Sequence, residues 1–208
     1  MIDLYTATTP NGRKISILLE ELGLPYEAHA VKLGGRDNDT PEYRKIAPSG
    51  MIPAIVERET GFRLMESGAI LIWLAEREGR FLPTGAERWA VLEWLFWQVG
   101  SVGPIFGQAH HFLRYNVGVS EYGEKRYWEL TQKLYGVLDK RLTGRDFVAG
   151  DYSIADMAIW PWISRFEFHK TDLDSFPAVR DWYLRIAERP AVQRGYHQPK
   201  YVNDIPMP

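Results

Sequence analysis

The chain has 208 residues, enough for one large domain or two small ones, and a chain of this size buries roughly 70% of its unfolded surface, so its core needs no covalent staple. Its 25 Lys and Arg stand against 27 Asp and Glu, a net charge of -2, which leaves no basic footprint for nucleic acid or for an anionic membrane surface. Cysteine is absent, which excludes structural disulfides, zinc–thiolate sites and any protein thiol nucleophile.

Taken in order, Ile2 to Ala7 alternates apolar and polar residues as a strand does, and Thr8-Thr9-Pro10-Asn11-Gly12 is a polar turn. Arg13 to Leu22 places Ile15, Leu18, Leu19 and Leu22 at helical spacing and stops at Gly23. Tyr26 to Val31 alternates again, Gly34 to Thr40 is polar, and Pro41 to Ile46 predicts a short helix. Ala54-Ile55-Val56 and Phe62 to Met65 read as strands joined by the turn Glu59-Thr60-Gly61, with a helix over Ser67 to Glu78 behind them. The expected order is βαβαββα over residues 1–80. Residues 81–86 have the Gly and Pro content of a linker, and strand signals largely vanish over 87–208. Helices are expected over Arg88 to Phe96, Tyr122 to Leu142 and Phe176 to Glu188, with a short one over Pro190 to Gly195. Ser153-Ile154-Ala155-Asp156 fits a capping box ahead of another, with Asp where Glu or Gln is commoner.

No stretch approaches the roughly 18 apolar residues of a spanning helix, and Met1 to Tyr5 lacks a basic segment followed by an apolar run. A cytoplasmic protein with no membrane partner is the expectation.

Ile52-Pro53 is the most informative dipeptide. A proline that opens a strand donates nothing to the ladder and sits at an edge or strand start, and a cis bond there would turn the N–H and C=O of Ile52 outward, free to pair with an extended peptide. A plain loop-to-strand transition is the competing reading. Thirteen residues on, Glu66-Ser67 adds a carboxylate and a hydroxyl. If Ser67 caps the apolar helix that follows, free N–H groups stand beside it and attract carboxylates.

With Ile52-Pro53-Ala54 and Glu66-Ser67-Gly68-Ala69-Ile70, the segment Tyr152 to Asp156, and the turn Thr9-Pro10-Asn11-Gly12, the whole chain resembles the glutathione S-transferase superfamily. That turn, with Trp94 to Gly100, Gly103-Pro104 and Gly107-Gln108 ahead of His110-His111-Phe112, is most similar to the bacterial Nu class of glutathione-dependent disulfide-bond oxidoreductases. The resemblance implies an α/β plus all-α architecture: a thioredoxin-like domain over 1–80, a linker over 81–86, and an all-helical domain over 87–208 with a second-substrate pocket. It implies glutathione, reduced or oxidised, as co-substrate without a metal, a small or protein disulfide as its partner, and a homodimer. The Ile52 backbone ahead of Pro53 would pair with the cysteinyl unit of glutathione, and Glu66 and Ser67 would hold the γ-glutamyl end. Asn38 falls where this subgroup carries an amide facing glutathione, and Arg126 matches a basic residue that helps bind the disulfide form.

A thiol titrating near 8.5 is mostly protonated at neutral pH, and lowering that value takes donors aimed at the sulfur. Tyr5 falls within the first strand and Ser16 one turn inside the helix, which leaves Thr9 and Asn11 at the helix's positive end as candidates for favouring the thiolate. Ordinary turn and helix-entry chemistry is their competing reading.

Several conspicuous residues have plainer expectations. His110 and His111 are adjacent, point about 100° apart on a helix, and read as wall or core polar groups rather than metal ligands. Trp94, Phe96 and Trp97 read as core, Gln98 and Phe112 as candidates for lining a pocket, and Asp156 as a folding cap. Two other functions compete with disulfide reduction: conjugation of glutathione to electrophiles, and a non-enzymatic binding or interaction module on the same fold.

Overall fold

β1 (Ile2–Thr6) buries Ile2, Leu4 and Thr6 on one face and leaves Asp3 and Tyr5 half-covered on the other, the period-2 alternation that the sequence carries. The computed structural model to which it belongs describes residues 1–35 and 37–208. Two compact units result: residues 1–82 with 187–205, and residues 83–186 with 206–208.

In the first unit, α1 (Pro10–Leu22) carries the chain from β1 to the parallel β2 (Tyr26–Ala30), with Ile2 opposite Tyr26. After the short α2 (Pro41–Arg44), β3 (Ala54–Glu57) runs antiparallel to β1 on its other side, and β4 (Arg63–Met65) runs antiparallel to β3. The sheet order is β2-β1-β3-β4. α3 (Ser67–Glu78) completes the expected βαβαββα order. Both long helices stop at a glycine in the left-handed region, Gly23 at φ 70° and Gly79 at φ 63°, where a side chain would be strained.

α1 is buried well beyond its apolar stripe: Arg13, Lys14 and Ser16 are as covered as Ile15 and Leu18. The cover on one side is α9 (Pro190–Tyr196), which returns to this unit. Arg13 stacks its guanidinium 3.4 Å from the centre of the Tyr196 ring and donates through Nε to the Tyr196 carbonyl at 3.0 Å. The Ser16 hydroxyl donates to the Gly195 carbonyl at 2.7 Å. A methyl at Gly195 would lie 2.7 Å from the Ile17 Cα and backbone N, atoms that cannot swing away. Gly195→Ala is therefore expected to cost roughly 1–3 kcal/mol or more, read as a lowered urea midpoint at unchanged slope; an unmoved midpoint would refute this close contact.

The second unit is helical: α4 (Glu87–Trp97), α5 (Gly103–His110), α6 (Glu121–Leu142), α7 (Ile154–Ile163) and most of α8 (Pro177–Ala187). Its core is aromatic, with Tyr135, Trp160, Trp182 and Tyr183 fully buried. Between α4 and α5 the turn Gln98–Val102 widens, so that the Gly103 N–H reaches back to the Gln98 carbonyl. Pro104 explains this widening, because its ring would meet the carbonyl of residue 100 in a regular helix. One expectation fails here. α4 buries Val91, Leu92 and Leu95, and Phe96, about 100° around the helix from Leu95, is exposed rather than core. Trp94 and Trp97 are half-buried and meet edge to face. The capping box forms as expected, with Ser153 at the cap and Asp156 beneath it.

Candidate functional site

A cleft of about 220 Å³ in the first unit is lined by Asn11 from α1, by Ser49, Met51, Ile52 and Pro53 from the loop before β3, and by Glu66 and Ser67 at the start of α3. Segments far apart in sequence thus converge. Five residues singled out from sequence, Asn11, Ile52, Pro53, Glu66 and Ser67, share this one depression.

The loop wall is braced from outside. Arg44 Nη1 donates to the Pro48 carbonyl at 2.6 Å, Asn38 Nδ2 to the Gly50 carbonyl at 3.1 Å and the Tyr43 hydroxyl to the Met51 carbonyl at 2.9 Å. The Ser49 hydroxyl takes the Met51 N–H at 3.2 Å. The Ile52–Pro53 bond is cis. Among the described residues, the N–H and C=O of Ile52 have no hydrogen-bond partner, so this edge offers one donor and one acceptor to an extended ligand.

At the other wall the geometry corrects one expectation. Ser67 does not cap α3 but is its first helical residue, and Glu66 occupies the cap position without a side-chain capping bond. Glu66 sits at φ 72°, ψ 114°, a region that residues other than glycine rarely enter and that is associated with functional sites. Ser67 is buried, and its hydroxyl oxygen accepts from Lys14 Nζ at 3.1 Å. Burial holds the Lys14 ammonium down to about 7, with the Glu66 carboxylate pulling the other way. The sequence reading missed Lys14. Its spacing from Asn11, i to i+3 on one helix face, was the available signal.

Thr9 is the cap of α1 and is not among the residues lining the cleft; its Oγ1 accepts the Gly12 N–H at 3.4 Å. An accepting hydroxyl keeps its own proton for another partner. Asn38 braces the loop with both ends of its amide, its Oδ1 accepting from the Gly35 N–H at 3.3 Å, and is not among the lining residues. Arg126 lies exposed on α6 in the second unit.

His110 is buried and has its Nε2 2.9 Å from the Nε2 of His169, whose Nδ1 is 2.8 Å from the Tyr135 hydroxyl. Burial, reinforced by Arg165, pushes His110 down to about 4, and burial lowers His169 as well. Both are neutral at pH 7, as core polar groups are. His169 was not legible as the partner, because 59 residues separate the two. Asp3, Glu27 and His29 also cluster, but the Arg58 guanidinium pairs with Asp3 and Glu27 there, which holds the Asp3 carboxyl down to about 2.

Residues 8–77 match the glutathione S-transferase N-terminal domain, and residues 121–190 match the C-terminal domain of the same family. The chain is 47% identical over 198 residues to the disulfide-bond oxidoreductase YfcG of Escherichia coli K12, covering 92% of each chain. It is 38% identical over 213 residues to YghU, a disulfide-bond oxidoreductase of the same organism, covering 93% of this chain and 73% of that one. Among solved structures, a glutathione transferase family member from Pseudomonas fluorescens with two glutathiones bound superposes at a TM-score of 0.89, with 41% identity and coverage of 94% and 92%. A glutathione transferase from Pseudomonas putida with one glutathione disulfide bound per subunit superposes at 0.90, with 40% identity and coverage of 95% and 91%. With the braced Ile52 edge and the Glu66-Ser67 wall in one cleft, these matches establish that the chain belongs to the glutathione S-transferase family.

Proposed function

We propose that this protein is a glutathione-dependent disulfide-bond oxidoreductase. The observation that carries the reading is a cleft lined by Asn11, the Ile52 edge, Glu66 and Ser67, in a chain without a single cysteine. All sulfur chemistry must then come from what the cleft binds. Relatives named as disulfide-bond oxidoreductases, and neighbours holding two glutathiones or one glutathione disulfide, support it.

In the proposed reaction, the thiolate of one glutathione attacks one sulfur of a small or protein disulfide, forming a mixed disulfide and expelling a thiolate, which takes up a proton. A second glutathione thiolate attacks the glutathionyl sulfur of the mixed disulfide and expels the other thiolate. Two glutathiones and one disulfide give glutathione disulfide and two thiols. The cysteinyl unit pairs with the Ile52 backbone ahead of Pro53, and the γ-glutamyl end sits at Glu66 and Ser67. Thr9 and Asn11 favour the thiolate, while Asn38 faces glutathione from its loop and Arg126 helps bind the disulfide form. Residues 87–208 supply the second-substrate pocket, and the working form is a cytoplasmic homodimer. No helix among the described residues is long and apolar enough to cross a membrane.

Steady-state assays with glutathione and either hydroxyethyl disulfide or a halogenated nitroarene separate this reading from a conjugating transferase. Disulfide reduction is expected to exceed conjugation at least about tenfold in kcat/KM, a difference of roughly 1.4 kcal/mol in transition-state binding. Conjugation dominating would reverse the assignment. A protein that bound neither form of glutathione in calorimetry would be an interaction module instead.

A further inference from the structure

We propose that Lys14 is a buried positioning residue for the ligand carboxylate: it holds the Ser67 hydroxyl by its oxygen and supplies the counter-charge behind that subsite. The inference rests on the glutathione reading above and deepens it.

The geometry is specific. Lys14 leaves α1 one turn after Asn11, is almost wholly covered, and brings Nζ to 3.1 Å from the Ser67 oxygen, across 53 residues of sequence. An ammonium has only donors, so the Ser67 oxygen accepts and its O–H proton is directed elsewhere. Ser67 also lines the cleft, beside the unpaired first-turn N–H groups of the 12-residue α3. A carboxylate placed there would meet the helix's positive end, a hydroxyl with a free proton, and a cation one bond-length of hydrogen bonding behind it. Of the charged groups facing Lys14, Glu66 comes from the β4–α3 junction and acts on it electrostatically. Arg13, its neighbour on α1, is turned to the other side, against Tyr196 of α9.

A buried cation next to an anion site has a consequence in pH. Burial holds Lys14 near 7 in the free protein, with the Glu66 carboxylate opposing that fall, so part of the population is neutral at physiological pH. An arriving carboxylate favours the charged form and raises the value. Binding then takes up a proton, and affinity falls roughly tenfold as pH rises from about 6 to about 8.5. The glutathione thiol would obscure this by losing a proton, so the probe is S-methylglutathione.

The test is isothermal titration calorimetry of S-methylglutathione between pH 6 and 8.5, in buffers of differing ionisation enthalpy. Wild type is expected to take up about half a proton or more near pH 7.5. An S-methylated analogue lacking the γ-glutamyl α-carboxylate is expected to take up none. Lys14→Met is expected to bind about 10-fold to 100-fold more weakly at pH 6.5 and to lose the pH dependence. In disulfide reduction it should raise KM far more than it lowers kcat. Equal proton uptake with both ligands would overturn the proposal without any variant, as would a Lys14→Met protein with wild-type affinity and pH profile. Wild type failing to bind S-methylglutathione at all is a separate outcome, which removes the glutathione reading and this inference with it.

Discussion

Asp156→Asn is expected to cost roughly 2–6 kcal/mol of folding stability, a large share of the roughly 5–15 kcal/mol that a domain of ordinary stability has. The carboxylate is fully buried and accepts from four donors. Oδ1 takes the Val148 N–H at 3.0 Å and the Trp182 Nε1–H at 2.9 Å, while Oδ2 takes the Ser153 N–H at 3.1 Å and the Ser153 hydroxyl at 3.2 Å. Every one of those partners donates. An amide in the same place turns an N–H₂ group towards two of them, and each buried donor left without an acceptor costs about 1–3 kcal/mol. Burial pushes the Asp156 carboxyl up to about 6 against the pull of its donors, so the group is still ionised at pH 7. Because it ties the 148 loop, the cap of α7 and the Trp182 indole of α8 together, the loss is expected as one cooperative drop in Tm of the helical unit. A variant melting within a degree or two of wild type would show that Asp156 is only a helix cap.

The capping box around Asp156 was legible because a cap is local: Ser153 and Asp156 are three residues apart, and their pattern sits just before an apolar run. The strands and helices of the first 80 residues were legible for the same reason, since period and punctuation act over a turn or two. Partnerships that cross the chain were not. Trp182 as a donor to Asp156 lies 26 residues away, Tyr196 above Arg13 lies 183 away, and Lys14 behind Ser67 lies 53 away. Nothing local in Pro190 to Gly195 tells that α9 packs back on α1. Lys14 is the instructive case. A basic residue beside Arg13 reads as a solvated helix face, and only the fold shows it buried with its Nζ on Ser67 at the start of α3. The same limit explains Ser67: whether a serine caps a helix or begins it depends on the backbone of Glu66, whose φ of 72° no side-chain pattern announces.

Asn11→Ala is expected to lower disulfide reduction at pH 7 by about 10-fold to 100-fold while leaving the melting temperature near that of wild type. Asn11 lies in the first turn of α1 and lines the cleft with Ile52 and Ser67, where an amide N–H₂ adds to the helix's partial positive charge. A hydrogen bond to an ionised acceptor is worth about 1.5–3 kcal/mol, and about 1.4 kcal/mol is a factor of ten in rate. If that bond is to the glutathione sulfur, losing it moves the bound thiol back towards its ordinary value near 8.5. The thiolate fraction at pH 7 then falls, and the pH–rate profile of the variant shifts to the alkaline side. Its deficit should therefore shrink as pH rises towards 9, where wild-type and variant thiols are both ionised. Thr9→Ala is expected to act in the same direction but more weakly, and with some loss of stability, because it also removes the acceptor for the Gly12 N–H and so a helix cap worth about 1 kcal/mol. The pH dependence distinguishes activation of sulfur from simple binding: a loss of ligand contact raises KM at every pH, whereas a loss of thiolate is repaired by alkali. Wild-type turnover in the Asn11 variant at pH 7, or a deficit unchanged at pH 9, would remove Asn11 from the chemistry and leave the thiolate to the helix terminus alone.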